Sequence, residues 1–255
     1  MNYSYFPGCT LRTHGKALDT AARLSAAKLG IELRELPQWQ CCGGVYPLGS
    51  DEIASKLPAV RALSNAENGK LVTMCSACHH VLKRVNLDMQ GPMAEKVKSY
   101  ADIDYHGQTQ VIHFLELLRD EVGFENLKKQ VVKPFTGRKI GAYYGCLLLR
   151  PGKELAFDDP EDPKLLEEFI RALGGEPVIY PYRNECCGGY QQIKDPEHAK
   201  MLSGRILESA GSFGAEMLIT ACPLCRFNLN RSGDLPVYYF TQLLAQALGV
   251  EEETV

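Results

Sequence analysis

The chain has 255 residues, of which 28 are basic and 31 acidic, a formal charge of −3, and 45% hydrophobic content. That is enough apolar material for one large domain or two small ones, and the charges are scattered, so no basic stripe exists to track a nucleic-acid backbone. The opening MNYSYFPGCT lacks a basic and then apolar leader pattern, and no apolar run approaches the roughly 18 to 20 residues of a membrane span, so a soluble cytoplasmic protein is expected.

In chain order, short β-rich runs at 2–6, 31–35 and 70–74 alternate with helical patterns at 14–29, 50–68 and 76–89. The alternation then recurs, with strands near 138–144, 176–180 and 216–220 and helices near 162–173, 195–211 and 223–230. Alternating strands and helices predict α/β lobes with largely parallel sheets.

Ten cysteines punctuate this order: Cys9, Cys41, Cys42, Cys75, Cys78, Cys146, Cys186, Cys187, Cys222 and Cys225. Their spacing, C-x31-CC-x32-C-x2-C and then C-x39-CC-x34-C-x2-C, is one pattern used twice. The flanks repeat as well. YFPGC at 5–9 answers AYYGC at 142–146, LVTMCSAC at 71–78 answers LITACPLC at 218–225, and VIHFLELL at 111–118 answers VYYFTQLL at 237–244. Two copies with so long a period predict two lobes about a pseudo-twofold axis. The first lobe is expected over 1–123, a charged linker over 124–140, the second lobe over 141–249 and a fraying acidic tail over 250–255.

Each cysteine cluster follows a strand at the turn toward a helix, so the thiols of one lobe are expected to converge where open α/β folds bind ligands. Gly43, Gly44, Gly188 and Gly189 permit a tight bend around a bulky group, and helix N-termini there favour negative charge. So many cysteines in a reducing compartment point to metal or redox chemistry more than to disulfides. Five per lobe is one more than a structural zinc or an ordinary cubane takes. A zinc-bound interaction module without redox function remains an alternative at this level.

With ten of ten cysteines in register over nearly the whole chain, the doubled CC-Gly and CxxC pattern resembles the CCG-domain proteins, most nearly the B-type subunit of heterodisulfide reductase. The resemblance implies that Cys9, Cys41, Cys42, Cys75 and Cys78 hold one non-cubane 4Fe-4S cluster and Cys146, Cys186, Cys187, Cys222 and Cys225 a second. In such a cluster two smaller iron-sulfur fragments share atoms, and the adjacent cysteine pair includes a thiolate that bridges irons. The implied activity is reduction of a disulfide to two thiols. Its electrons would come from a ferredoxin-like subunit of the C type and a flavin-containing subunit of the A type, since the chain has neither a dinucleotide fingerprint nor a ferredoxin-type cysteine run. The coenzyme M and coenzyme B heterodisulfide of methanogenesis is the best-known substrate in the family. CCG domains also serve as electron-transfer subunits of dehydrogenases and quinone-linked systems, which is the alternative function.

Beside the thiols, His79 and His80 follow Cys78 directly and are candidates to deliver a proton, the alternative being histidines with no part in the reaction. Arg12 and His14 after Cys9, and Arg150 and Lys153 after Cys146, are candidates to hold anionic ends of a substrate, against the alternative of ordinary solvated charge. Trp39, the single tryptophan, is expected to shield the cysteine pair from water.

Overall fold

The computed structural model describes residues 1–44 and 49–250. Residues 251–255 of the expected acidic tail lie outside the described residues. The first half runs β1 (Asn2–Phe6), α1 (Lys16–Lys28), β2 (Glu32–Glu35), α2 (Leu57–Ser64), β3 (Lys70–Thr73), α3 (Ser76–Asp88), α4 (Met93–Ala101), β4 (Gln110–His113) and α5 (Phe114–Leu117). After α6 (Phe124–Gln130) the second half follows as β5 (Lys139–Ala142), α7 (Gly152–Leu155), α8 (Leu165–Ala172), β6 (Glu176–Val178), α9 (Pro196–Ser212), β7 (Met217–Thr220), α10 (Pro223–Asn230), β8 (Val237–Tyr239) and α11 (Phe240–Ala247).

Each half builds a four-stranded parallel sheet, ordered β2-β1-β3-β4 in the first and β6-β5-β7-β8 in the second. The central strands are covered on both faces, as parallel strands require: Tyr5 and Phe6 of β1 and Leu71 and Val72 of β3 are fully buried. In this order the chain leaves β1 toward one edge and β3 toward the other, which opens a crevice at the carboxyl ends between them.

β4 and β8 are additions to the three strands per half expected from pattern. Each is a run of three or four residues that enters a helix with no turn residue between, so the strand signal is cut short before alternation can register. His113 and Tyr239 close these strands, and their backbone amides donate to the side chains of Glu116 and Gln242 three residues on. The expected helix over 50–68 is confined to α2, and α6 lies in the stretch expected to be a linker, packed against α8.

The halves share one continuous hydrophobic core, while a second, smaller core lies within the second half around Tyr143, Tyr180 and Leu229. α1 packs along α11, and the buried Thr241 hydroxyl donates to the Leu18 carbonyl at 3.0 Å. The equivalent rings of Phe114 and Phe240 meet at 6.3 Å between centroids, and Phe240 also packs on Phe169 and His113.

Phe240→Ala is expected to cost about 3–5 kcal/mol of folding stability, as emptying a fully buried aromatic site does, read as a lower midpoint in anaerobic urea denaturation. Phe213→Ala, at a site 57% exposed, should move that midpoint little.

Candidate functional site

The strand ends bring the cysteines of each half together. In the first half Cys9 follows β1, the Cys41–Cys42 pair follows β2, and Cys75 caps α3 after β3, with Cys78 in the first turn of that helix. Cys9 Sγ stands 3.3 Å from Cys41 Sγ, and Cys42 Sγ stands 3.5 Å from Cys78 Sγ. Cys41 lies within electrostatic reach of Cys42, and Cys75 of Cys78, so the five thiols are neighbours. The second half repeats this with Cys187 3.5 Å from Cys225, Cys146 beside Cys186, and Cys222 beside Cys225. Both sets face solvent in the same way. Cys42, Cys75 and Cys78 are buried behind an exposed Cys9 and Cys41, and Cys187, Cys222 and Cys225 are buried behind a half-buried Cys146 and an exposed Cys186.

Glycines make this approach possible. Gly8 has φ +77°, and a Cβ there would stand 2.7 Å from Cys78 Sγ; Gly145, φ +65°, occupies the matching place 3.2 Å from Cys225 Sγ. The thiols also share protons unevenly. The neighbouring Cys41 and Cys78 thiols lower the Cys42 pKa well below the ordinary thiol range. In the second set the Cys146 thiol lowers Cys186 to about 6, and Cys225 lowers Cys187.

A hydrogen-bonding frame precedes each cysteine pair. Glu35, at the end of β2, accepts from Arg12, from Arg23 at 2.7 Å and from Trp39 Nε1 at 3.0 Å. Burial opposes ionisation of Glu35, but these three donors outweigh it and keep the carboxyl below its usual range. In the second half Arg183 bridges Glu167 and Asp162, and Tyr144 donates to Glu167. Arg150 donates to the carbonyls of Asn184 and Pro160 and pairs with Glu161. Arg12 and Arg150 therefore brace the segments that carry the cysteine pairs. His14 and Lys153 are exposed. Trp39 packs edge-on against Phe6 at 5.7 Å, half-buried beside the pair.

The two histidines part company. His79 has no exposed surface, lies between His113 at 5.4 Å and Phe157 at 6.0 Å, and has no hydrogen-bond partner on either ring nitrogen. Burial holds it neutral, its pKa well below the ordinary histidine value. In the second half Arg226 and Tyr239 stand where His79 and His113 stand in the first, with the guanidinium 4.6 Å from the ring centroid. A contact to an aromatic ring is retained at both places, edge-on in the first half, although its chemistry changes. His80 reaches across to the second half, its Nδ1 3.2 Å from the Leu147 carbonyl. A carbonyl only accepts, so Nδ1 carries the proton and the neutral ring leaves Nε2 bare.

The halves meet at the cysteine motifs themselves. The amide of Ser76, inside the first CxxC, donates to the carbonyl of Ala221, which precedes the second, at 3.2 Å. His80 joins the loop after Cys146, and Tyr190, three residues beyond Cys187, lies 3.5 Å through its hydroxyl from the Gly44 carbonyl. The loops that carry the two thiol sets are thus joined along a short seam. Sequence reasoning missed Glu35, Arg183 and Tyr190, whose partners lie far away along the chain.

Comparison with known proteins agrees with this geometry. The family model of the CCG cysteine-rich domain matches residues 3–83 and again 140–230. The chain belongs to the CCG cysteine-rich domain family. It is 30% identical, over 97% of its length and 92% of the relative's, to the 8-methylmenaquinol:fumarate reductase membrane anchor subunit of Wolinella succinogenes. It is 27% identical to the B-type subunit of the ferredoxin/F(420)H(2)-dependent CoB-CoM heterodisulfide reductase of Methanosarcina acetivorans, over 96% of this chain and 89% of that one. The crystal structure of a hypothetical protein from Helicobacter pylori superposes with a TM-score of 0.75 over 99% of this chain and 50% of that one, at 14% identity, which extends the likeness to the fold alone. Among the described residues no helix is long and apolar enough to cross a membrane.

The donor set suits an iron-sulfur group. Thiolates select soft metals and iron-sulfur clusters, and here each set has five. Among the described residues no group of three or more His, Cys, Asp or Glu side chains is arranged to hold a single metal ion.

Gly8→Ala would place a Cβ 2.7 Å from Cys78 Sγ, so it should displace that thiol and raise its alkylation rate in metal-free protein, read by peptide mass spectrometry. Gly30→Ala is the control, because Gly30 shares a positive φ but has nothing within 4 Å of its Cβ position.

Proposed function

We propose that the chain is the catalytic iron-sulfur subunit of a disulfide reductase complex. The observation that carries this reading is the pair of five-thiol sets joined at their CxxC turns, each with two thiols at its open side. Cys9, Cys41, Cys42, Cys75 and Cys78 hold one non-cubane 4Fe-4S cluster, and Cys146, Cys186, Cys187, Cys222 and Cys225 the other. When bound, the two clusters supply the two electrons that opening a disulfide requires, one from each site.

The reaction is R–S–S–R′ + 2 e⁻ + 2 H⁺ → R–SH + R′–SH, with electrons delivered by a ferredoxin-like subunit and a flavin-containing subunit. The chain's own residues fix the geometry. Gly8 and Gly145 bring the cysteine loops close, the Glu35 and Arg183 frames hold the cysteine pairs, and the Ser76–Ala221 bond sets the spacing of the two sites. The buried thiols exclude water from behind, so a substrate enters from the side of Cys41 and Cys186. Similarity to the heterodisulfide reductase protein supports a disulfide made of two unlike thiols as the substrate class.

A second reading, an electron-transfer subunit that passes electrons between protein partners or to a quinone-linked enzyme, is favoured by the 30% identity to the fumarate reductase protein.

Anaerobically purified protein is expected to carry about eight irons with matching acid-labile sulfide, the content of two four-iron sites, and to oxidise reduced methyl viologen in a disulfide-dependent manner. Cys187→Ser should abolish that turnover while the iron of the first site persists. One or two zincs with no sulfide, after failed reconstitution, would overturn the iron-sulfur reading. Full iron loading with no disulfide turnover would leave the electron-transfer reading in its place.

A further inference from the structure

Tyr190 is a half-exposed phenol that serves none of the frames described above. It is carried on the turn Gly189–Gln191, which starts directly after the second cysteine pair and its first glycine. Two glycines pin that turn. Gly188 has φ +74°, with a Cβ position 2.9 Å from the backbone of Ala199, and Gly189 would place a Cβ 2.7 Å from Leu224, which lies between Cys222 and Cys225. The ring is thus fixed to the loop and helix that present the second set of thiols.

From there it reaches the first set. Its hydroxyl lies 3.5 Å from the carbonyl of Gly44, the residue that closes the Cys-Cys-Gly-Gly string of the first half. Cys222 and Cys146 of its own half and Cys42 and Cys75 of the other all lie within electrostatic reach of the phenol. At 3.5 Å the bond to Gly44 is at the weak limit of a hydrogen bond, so the hydroxyl proton is available to a stronger acceptor. The side chain is also 50% exposed, so a molecule entering between the sites meets it. The duplication does not repeat this residue. The matching position is Val45, which lies outside the described residues.

We propose that Tyr190 forms the wall of the cleft between the two thiol sites, touches a disulfide bound there, and donates a hydrogen bond to it in place of the Gly44 carbonyl. The inference rests on the disulfide reductase reading and adds a residue that sets affinity for the substrate.

The test uses the anaerobic, cluster-loaded chain with the CoB-CoM heterodisulfide and glutathione disulfide as probes. Calorimetric dissociation constants are measured without reductant, and KM and kcat with reduced methyl viologen. Tyr190→Phe is expected to weaken binding roughly threefold to tenfold, the scale of one net hydrogen bond. Tyr190→Ala should weaken it further, in both cases with KM raised more than kcat is lowered and with iron content and unfolding midpoint unchanged. If the unmodified protein reduces a probe and both variants keep its dissociation constant and KM, this inference fails alone. If the unmodified protein binds and reduces neither probe, the reductase reading fails and takes this inference with it. A loss of iron in both variants would make Tyr190 a structural brace of the cysteine loop and would also overturn the proposal.

Discussion

The constraint on which this molecule depends is that thiols from three separate strand ends must meet at one point. A parallel sheet meets it because every strand presents its carboxyl end to the same edge. With order β2-β1-β3-β4, the strands that lead to Cys9 and Cys75 are neighbours, and the strand that leads to the cysteine pair lies just outside them. The remaining distance is closed by backbone. Gly8 lies within what would be a steric clash of Cys78 for any residue with a Cβ, so the approach of the loop after β1 to the first turn of α3 is limited by glycine geometry as much as by the sulfurs.

Duplication supplies the same constraint twice, and the differences between the copies show which features the geometry requires. A carboxylate–arginine frame before the cysteine pair occurs in both, built from Glu35 with Arg12 and Arg23 in one half and from Glu167 and Asp162 with Arg183 in the other. The ring contact behind the CxxC occurs in both, as His79 with His113 and as Arg226 with Tyr239. Position is kept while chemistry drifts, as expected of groups that support a site without reacting. His79 is fully buried, with the Glu116 carboxylate 3.7 Å from its Nε2.

How much of this was legible in the sequence depended on the range of each interaction. The cysteine spacings carried the duplication, and strand-to-helix alternation carried the parallel sheets, because both are local and periodic. β4 and β8 escaped because VIH and VYY are too short for alternation and pass straight into helices capped by His113 and Tyr239, residue types that do not announce a helix start. α6 reads as a linker because its charged residues mask the buried Leu127 that anchors it. The long-range contacts have another origin. Arg12 and Arg150 look like free cations beside a site, and only folding brings Glu35 and the Asn184 carbonyl to them, from 23 and 34 residues away. Tyr190 was invisible for the same reason, since its partner is a backbone carbonyl 146 residues distant.

Fusing two cysteine sites into one chain has a physical consequence that separate copies would lack. Independent lobes would bring two sites together only at the cost of association entropy and with variable spacing. Here α1 against α11, the shared core and the Ser76–Ala221 bond remove that freedom before any substrate arrives. Such preorganisation serves electron passage between the sites, which needs a short fixed gap, and it serves equally a bond whose two atoms must be engaged together, because the spacing of the sites then enters the reaction barrier directly.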